Sequence, residues 1–261
     1  MKRIVSAVMA ALLLAASAGA QSPKRPRQPM DRSAKGLGLT FGYVHSLYRT
    51  TDWATDEVVT SGGLDGFAAG INKDFRLIPR ALYFQVGLNY MYQNDERNET
   101  VMLAGLDTGI KVVGDRTEHF LGLPLRLKYT VPVTDRIGLS LDAGPTLLMG
   151  LSSKLRYRTR FADGVSTGVT YNIYKGEMDT KNMKGDRWNI AEWINETGML
   201  PEGRLQRGDV MMGASIGADF FNLMEVRLGY DWGLINRYKK TVTEDLKMHR
   251  SQFTLSVGVR F

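Results

Sequence analysis

The chain contains no cysteine, which removes disulfide staples, thiolate metal sites and a lipid-modified cysteine at an export cleavage site. Histidine is almost as scarce, with only His45, His119 and His249, and no His-Glu-x-x-His pattern occurs. Long apolar runs are missing too. Beyond the first twenty residues, no stretch approaches the roughly 20 apolar residues that a spanning helix requires, and mean hydropathy is −0.21. A chain of this kind can cross a bilayer only as a closed barrel, because helices and closed barrels alone satisfy every backbone group in lipid. A strong charge of one sign is also lacking. The formal charge is +7, of which Lys2 and Arg3 contribute two. A short tail from Pro23 to Lys35 holds five basic residues against one acidic. Nucleic acid is not an expected partner for so modest an excess.

What is present begins with an export leader. Lys2 and Arg3 precede an apolar run from Ile4 to Ala16, and Ala18-Gly19-Ala20 supplies the small-residue cleavage pattern. Residues 1–20 read as a signal peptide, 21–35 as a basic, Pro-containing periplasmic tail, and 36–261 as one all-β domain. The domain closes on Phe253-Thr254-Leu255-Ser256-Val257-Gly258-Val259-Arg260-Phe261, where apolar residues recur at every second position and end on an aromatic. Such an ending suits delivery to the barrel assembly machinery through the terminal strand.

The same two-residue period recurs along the chain. It predicts strands at about 36–47, 64–75, 81–93, 117–131, 137–151, 207–220, 224–235 and 248–261. In the fourth, Leu121, Leu123, Leu125, Leu127 and Tyr129 alternate with Phe120, Gly122, Pro124, Arg126 and Lys128. In the seventh, Val226, Leu228, Tyr230 and Trp232 alternate with Glu225, Arg227, Gly229 and Asp231. Connections after the second, fourth and sixth strands are about five residues. Those after the first, third, fifth and seventh are about 16, 23, 55 and 12 residues. An even strand number with alternating short turns and long loops is the pattern of transmembrane barrels. A soluble barrel would turn its apolar face inward and present polar residues outside. Here the non-apolar face is glycine, small polar residues and charges of both signs, too small and too charged for a solvated exterior. The expectation is an eight-stranded antiparallel transmembrane β-barrel in the cell outer membrane, with short periplasmic turns and long extracellular loops.

Three segments carry a family resemblance. Phe120 to Tyr129, Leu141-Asp142-Ala143-Gly144-Pro145-Thr146, and Val226 to Asn236 resemble strands of the PorT-type outer-membrane β-barrel proteins of Bacteroides-like bacteria. The similarity covers about 36–261 but not the longest loop. It implies architecture and no catalytic constellation. One member of that family takes part in type IX protein secretion, so an accessory role in secretion is one implied alternative.

Turning the polar parity inward predicts a lumen charge network of Arg126, Lys128, Asp142, Asp219, Glu225, Arg227, Asp231 and Arg260, joined by Asp74, Glu118, Asp209, Arg207 and Arg250. Eight strands leave an interior that side chains just fill, and buried charges must be paired. A salt-bridged plug is the first expectation, and a narrow channel the alternative. The three histidines have the lipid-facing parity near the outer strand ends, where lipopolysaccharide phosphates would meet them. No catalytic residue, metal site or cofactor is expected.

The loop 152–206 is the most distinctive segment. Lys154, Arg156, Arg158 and Arg160 alternate with Leu155, Tyr157, Thr159 and Phe161, so the fifth strand should continue beyond the membrane, with Val169 to Tyr174 returning beside it. A short helix is expected from Asp186 through Trp188 and Trp193. The basic row, with Trp188 and Trp193, is the candidate surface for an anionic ligand or for a protein or glycan partner. Outer-membrane lipid and lipopolysaccharide surround the rest. The functional expectation is a non-enzymatic barrel that is structural or binds through its extracellular loops.

Overall fold

A computed structural model describes residues 37–52, 55, 57–79, 81–99, 111–134, 136–160, 166–179, 205–221, 223–239 and 246–261. The strands are β1 (Gly38–Asp52), β2 (Val58–Ile78), β3 (Leu82–Glu99), β4 (Lys111–Pro132), β5 (Ile137–Arg160), β6 (Ser166–Asn172), β7 (Glu177–Asp179), β8 (Gly208–Phe220), β9 (Met224–Gly233) and β10 (Leu246–Arg260). Pairing runs β4-β3-β2-β1-β10-β9-β8-β5 and closes through β4–β5, antiparallel throughout. Eight strands therefore form a ring. β6 and β7 branch from the upper part of β5 as a hairpin outside it.

The eight expected strands are all present, and most are longer than the alternation predicts. β4 has 22 residues and β5 has 24, whereas a tilted strand crosses a bilayer in about 9–11. The surplus lies on the loop side, so β1 to β5 continue as sheet above the membrane. In β1 to β4 alternation hides these extensions because no continuous apolar face marks them, whereas the continuation of β5 beyond the membrane is the one expected from the alternation that starts at Lys154. The opposite ends are tight: the turns leave only residues 79–81, 133–136 and 221–223 between strands.

The apolar parity faces outward, as lipid requires. Leu39, Phe41, Leu127, Tyr129, Leu139, Leu141, Ile216, Tyr230 and Leu255 are exposed, while Lys128, Asp142, Glu225 and Arg260 are buried. β1 and β10 pair over their full lengths, from Gly38 opposite Arg260 to Asp52 opposite Leu246. Gly144 lets β5 lie close to β4. Its φ is +154°, and a Cβ there would run into the Leu125 carbonyl.

One irregularity has structural weight. His119 pairs with Ser152 and Phe120 with Gly150, leaving Leu151 as an extra residue in β5. A bulge of this kind reverses the side-chain phase. Below it Leu147, Met149 and Leu151 face lipid, and above it Lys154 and Arg156 are exposed while Ser153 is buried.

Replacing Gly144 by valine should therefore block closure at β4–β5. The variant is expected to lose the shifted gel migration of an unheated, folded barrel while wild type keeps it.

Candidate functional site

The lumen is filled in layers. At the periplasmic end Glu225 is the hub: Arg260 Nη2 donates to it at 2.6 Å, Arg227 Nη2 at 2.8 Å, and Lys128 Nζ forms a shorter contact. Arg260 Nη1 also donates to Asp74 at 2.7 Å, and Gln85 Nε2 donates to the other Asp74 oxygen at 2.6 Å. Arg227 Nη1 donates to Gln85 at 2.7 Å, and its Nε lies 3.5 Å from Asp142, which also accepts from Ser215. Asp219 is buried opposite Glu225 in the β8–β9 register. Above this cluster Arg126 pairs with Asp231 and donates to Thr146 Oγ1 at 2.8 Å and the Gly144 carbonyl at 2.9 Å. The eight lumen residues expected from sequence thus lie together, and Asp74, Gln85 and Thr146 hydrogen-bond with them. A polar cavity of about 100 Å³ lies at this level, between Asn89, Arg126, Arg227 and Gln252, room for a few waters.

Met91, Phe120, Leu148 and Met211 then form an apolar septum. Above it lies a second charged layer. Glu118 is fully buried and accepts from Arg116 at 2.8 Å, from Ser153 at 2.7 Å and from Tyr48. Arg250 stacks on Phe120, 4.0 Å from the ring centroid, and donates to Ser46 and Gln93. Arg237, from the β9–β10 connection, reaches in over Tyr48 and Phe120 to lie 3.9 Å from Glu118 and 4.0 Å from Asp209. Of this layer, sequence parity finds Glu118, Asp209 and Arg250. Arg237 and Arg116 escape it, because one lies in a loop and the other in the polar strand extension.

A hydrophobic cap closes the extracellular mouth. Tyr48, Leu64 and Met248 from the wall meet Tyr171, Ile173 and Tyr174 from the β6–β7 hairpin, together with Leu205 and Tyr238. Tyr174 points down into the lumen. Its hydroxyl sits against Gly150, where a Cβ would collide with it, and Arg237 donates to it at 3.5 Å. Burial pushes its phenol above the ordinary range, with Glu118 adding to the effect, so it stays neutral. The expected returning strand, Val169 to Tyr174, is present as β6 and the turn after it. The expected lumen position of Arg207 is not observed. That residue is exposed, with its guanidinium 5.6 Å from the Tyr174 ring, because the cap already fills the mouth.

On the outer surface Lys154 and Arg156 are exposed. Arg158 and Arg160 pair in register with Gly168 and Ser166 of β6. Trp188, Trp193 and the expected helix lie outside the described residues. His45 Nδ1 contacts Asp65 at 2.7 Å, and His119 Nδ1 contacts the Tyr90 hydroxyl at 2.6 Å, both on the outward face. Among the described residues no group of His, Asp and Glu could hold a metal ion.

A closed antiparallel ring with an apolar exterior and a buried ionic interior defines a transmembrane β-barrel. The chain belongs to the outer membrane protein beta-barrel domain family, whose match spans residues 7–261. It therefore resides in the cell outer membrane. No functionally curated protein matches it. Among solved structures it is similar to Ail, the attachment invasion locus protein of Yersinia pestis, solved with the heparin analogue sucrose octasulfate (11% identity, 87% of this chain and 99% of that one, TM-score 0.39). It is also similar to Neisserial surface protein A (12%, 87% and 97%, TM-score 0.37) and to OprG from Pseudomonas aeruginosa (8%, 90% and 99%, TM-score 0.42).

Removing one partner from a buried ionic network leaves the others uncompensated, at about 3–5 kcal/mol. Glu225→Gln should therefore lower the denaturant midpoint of the barrel far more than Glu177→Gln, whose carboxylate forms only an exposed pair with Lys175. Urea titrations followed by tryptophan fluorescence in detergent would measure the difference.

Proposed function

We propose that this chain is a non-enzymatic, non-conducting outer-membrane barrel that binds a surface ligand or partner through its extracellular sheet and loops. The observation that carries this reading is the filled lumen. A charged cluster, an apolar septum, a second charged layer and a hydrophobic cap succeed one another along the axis. An ion path would have to break both the septum and the cap. The construction outside the membrane is larger than closure demands, since β3, β4, β5, β6 and β7 continue as one sheet above the lipid. The binding surface in this reading is the column Lys154, Arg156, Arg158 and Arg160, with Trp188 and Trp193 in the same loop. An anionic glycan or an acidic protein face suits that charge.

The narrow-channel reading predicts conductance in planar bilayers. Wild type is expected to be silent, and a variant with Ile173 and Tyr174 both replaced by alanine should stay silent as well, because the septum remains. The secretion-accessory reading, which rests on the resemblance to PorT-type proteins, predicts co-purification with a secretion translocon. Replacing Lys154, Arg156, Arg158 and Arg160 by glutamine, together with residues 180–204 by a short Gly-Ser linker, tests the binding reading directly. The set of proteins and glycans captured from native membranes should shrink, and a set unchanged from wild type would sink the idea.

A further inference from the structure

We infer that the upper lumen is a receptor box for a guanidinium group, which the chain's own Arg237 occupies from the β9–β10 connection and which a guanidinium ligand arriving from the extracellular side takes over. The inference rests on the lumen wall and stands apart from the loop-binding reading.

Arg237 lies between β9 and β10, yet it is only 1% exposed. The groups around it come from the wall. Glu118 and Phe120 stand on β4, Tyr48 on β1 and Asp209 on β8. The guanidinium carbon lies 5.4 Å from the ring centroids of both Tyr48 and Phe120, within the range of cation–π attraction. Glu118 and Asp209 approach it to 3.9 and 4.0 Å. Two aromatic faces beside two acids suit a planar, weakly hydrated guanidinium better than a compact ammonium. Wall strands cannot separate without breaking the ring, whereas a connection can lift away. The receptor is therefore fixed and its occupant exchangeable.

Arg237 fits this box loosely. Its Nε and Nη1 donate no hydrogen bond among the described residues, and its Nη2 reaches the Tyr174 hydroxyl only at 3.5 Å. No described side chain donates to either oxygen of Asp209, which is 2% exposed. Glu118 is engaged by Arg116 and Ser153, and Arg250 is held against Phe120 by Ser46 and Gln93. Asp209 is thus the acid left for a ligand. A buried carboxylate with unused acceptors favours any guanidinium that meets it squarely. Entry is from outside, because Phe120 and Met211 of the septum lie beneath. The cap above is tied to the same connection as Arg237: Leu205 bridges to Tyr238, and the Gln206 amide donates to the Arg237 carbonyl at 2.7 Å. Lifting that connection withdraws the occupant and opens the mouth in one movement.

The test uses the purified full chain in detergent and isothermal titration calorimetry. R237A should bind ethylguanidinium, a truncated arginine side chain, about tenfold more tightly than ethylammonium or the neutral ethylurea. D209N in that background should weaken binding about tenfold while keeping folded-barrel gel migration. Wild type should bind about tenfold more weakly than R237A, because Arg237 competes for the box. Two sources of the ligand separate in wild type. Tighter binding of a blocked Gly-Arg-Gly tripeptide than of ethylguanidinium points to an arginine of a partner protein, and the reverse to a small guanidinium compound. Equal affinity of R237A for ethylguanidinium and ethylurea would overturn the assignment. So would wild type that binds as tightly as R237A or not at all, or D209N without effect. If R237A fails to fold alone, refolding with ethylguanidinium should restore folded-barrel migration. Refolding that ethylurea supports equally well, or that neither compound supports, would overturn it as well.

Discussion

Everything in this molecule follows from the absence of water inside a bilayer. A strand in lipid has nowhere to place its amide and carbonyl groups except on a neighbouring strand, so the sheet cannot have an edge. The full-length pairing of β1 with β10 removes it. Closure then creates the second problem, an interior too narrow for a solvent column yet lined by one entire face of eight strands. The inward face answers with ion pairs, because residues long enough to meet across the lumen and polar enough to bond there are arginine, lysine, glutamate and glutamine. Glu225 receives Lys128, Arg227 and Arg260 from three strands, tying β4, β9 and β10 together through the middle.

The two charged layers are not equivalent. Below the septum the carboxylates of Asp74, Asp142, Glu225 and Asp231 pair with Arg126, Lys128, Arg227 and Arg260, and Asp219 is buried beside them. Above it Arg116, Arg237 and Arg250 face Glu118 and Asp209, and Arg237 meets both of its carboxylates only at about 4 Å. Its positive charge is held partly by the faces of Tyr48 and Phe120, an attraction worth about 0.5–2 kcal/mol. The lower layer is thus the more tightly bonded half of the interior. The upper layer depends on a loop residue and on the cap above it.

The sequence made the transmembrane half legible because one physical rule governs it. Lipid outside and a packed interior inside force strict alternation, so Leu121 to Tyr129 or Val226 to Trp232 declares both strand and face. The expected lumen residues from Arg126 to Arg260 come together for that reason. Above the membrane the rule lapses. Both faces of the extended strands are wet or loop-covered, so β1, β2, β3 and β4 lengthen without an apolar signature, and Arg116 is not recognisable as interior. The bulge at Leu151 is invisible for a different reason: it is one residue, and leucine suits either phase. Arg237 reaches the lumen from a connection in which no periodicity applies, and Arg207 has the inward parity but is displaced by the cap.

That single extra residue in β5 also separates two regimes of change. Below Leu151 β5 is locked in phase with its two neighbours, β4 and β8, so inserting or deleting a residue would invert a whole strand between oil and salt bridge. Above it the phase has already been reset. The outer sheet keeps its own register, with Lys154 opposite Asn172 and Thr117, and it joins the wall through a joint that absorbs an offset. The exterior architecture can therefore drift in length and composition while the membrane-embedded cylinder stays fixed, as a keyboard can be transposed without retuning its strings.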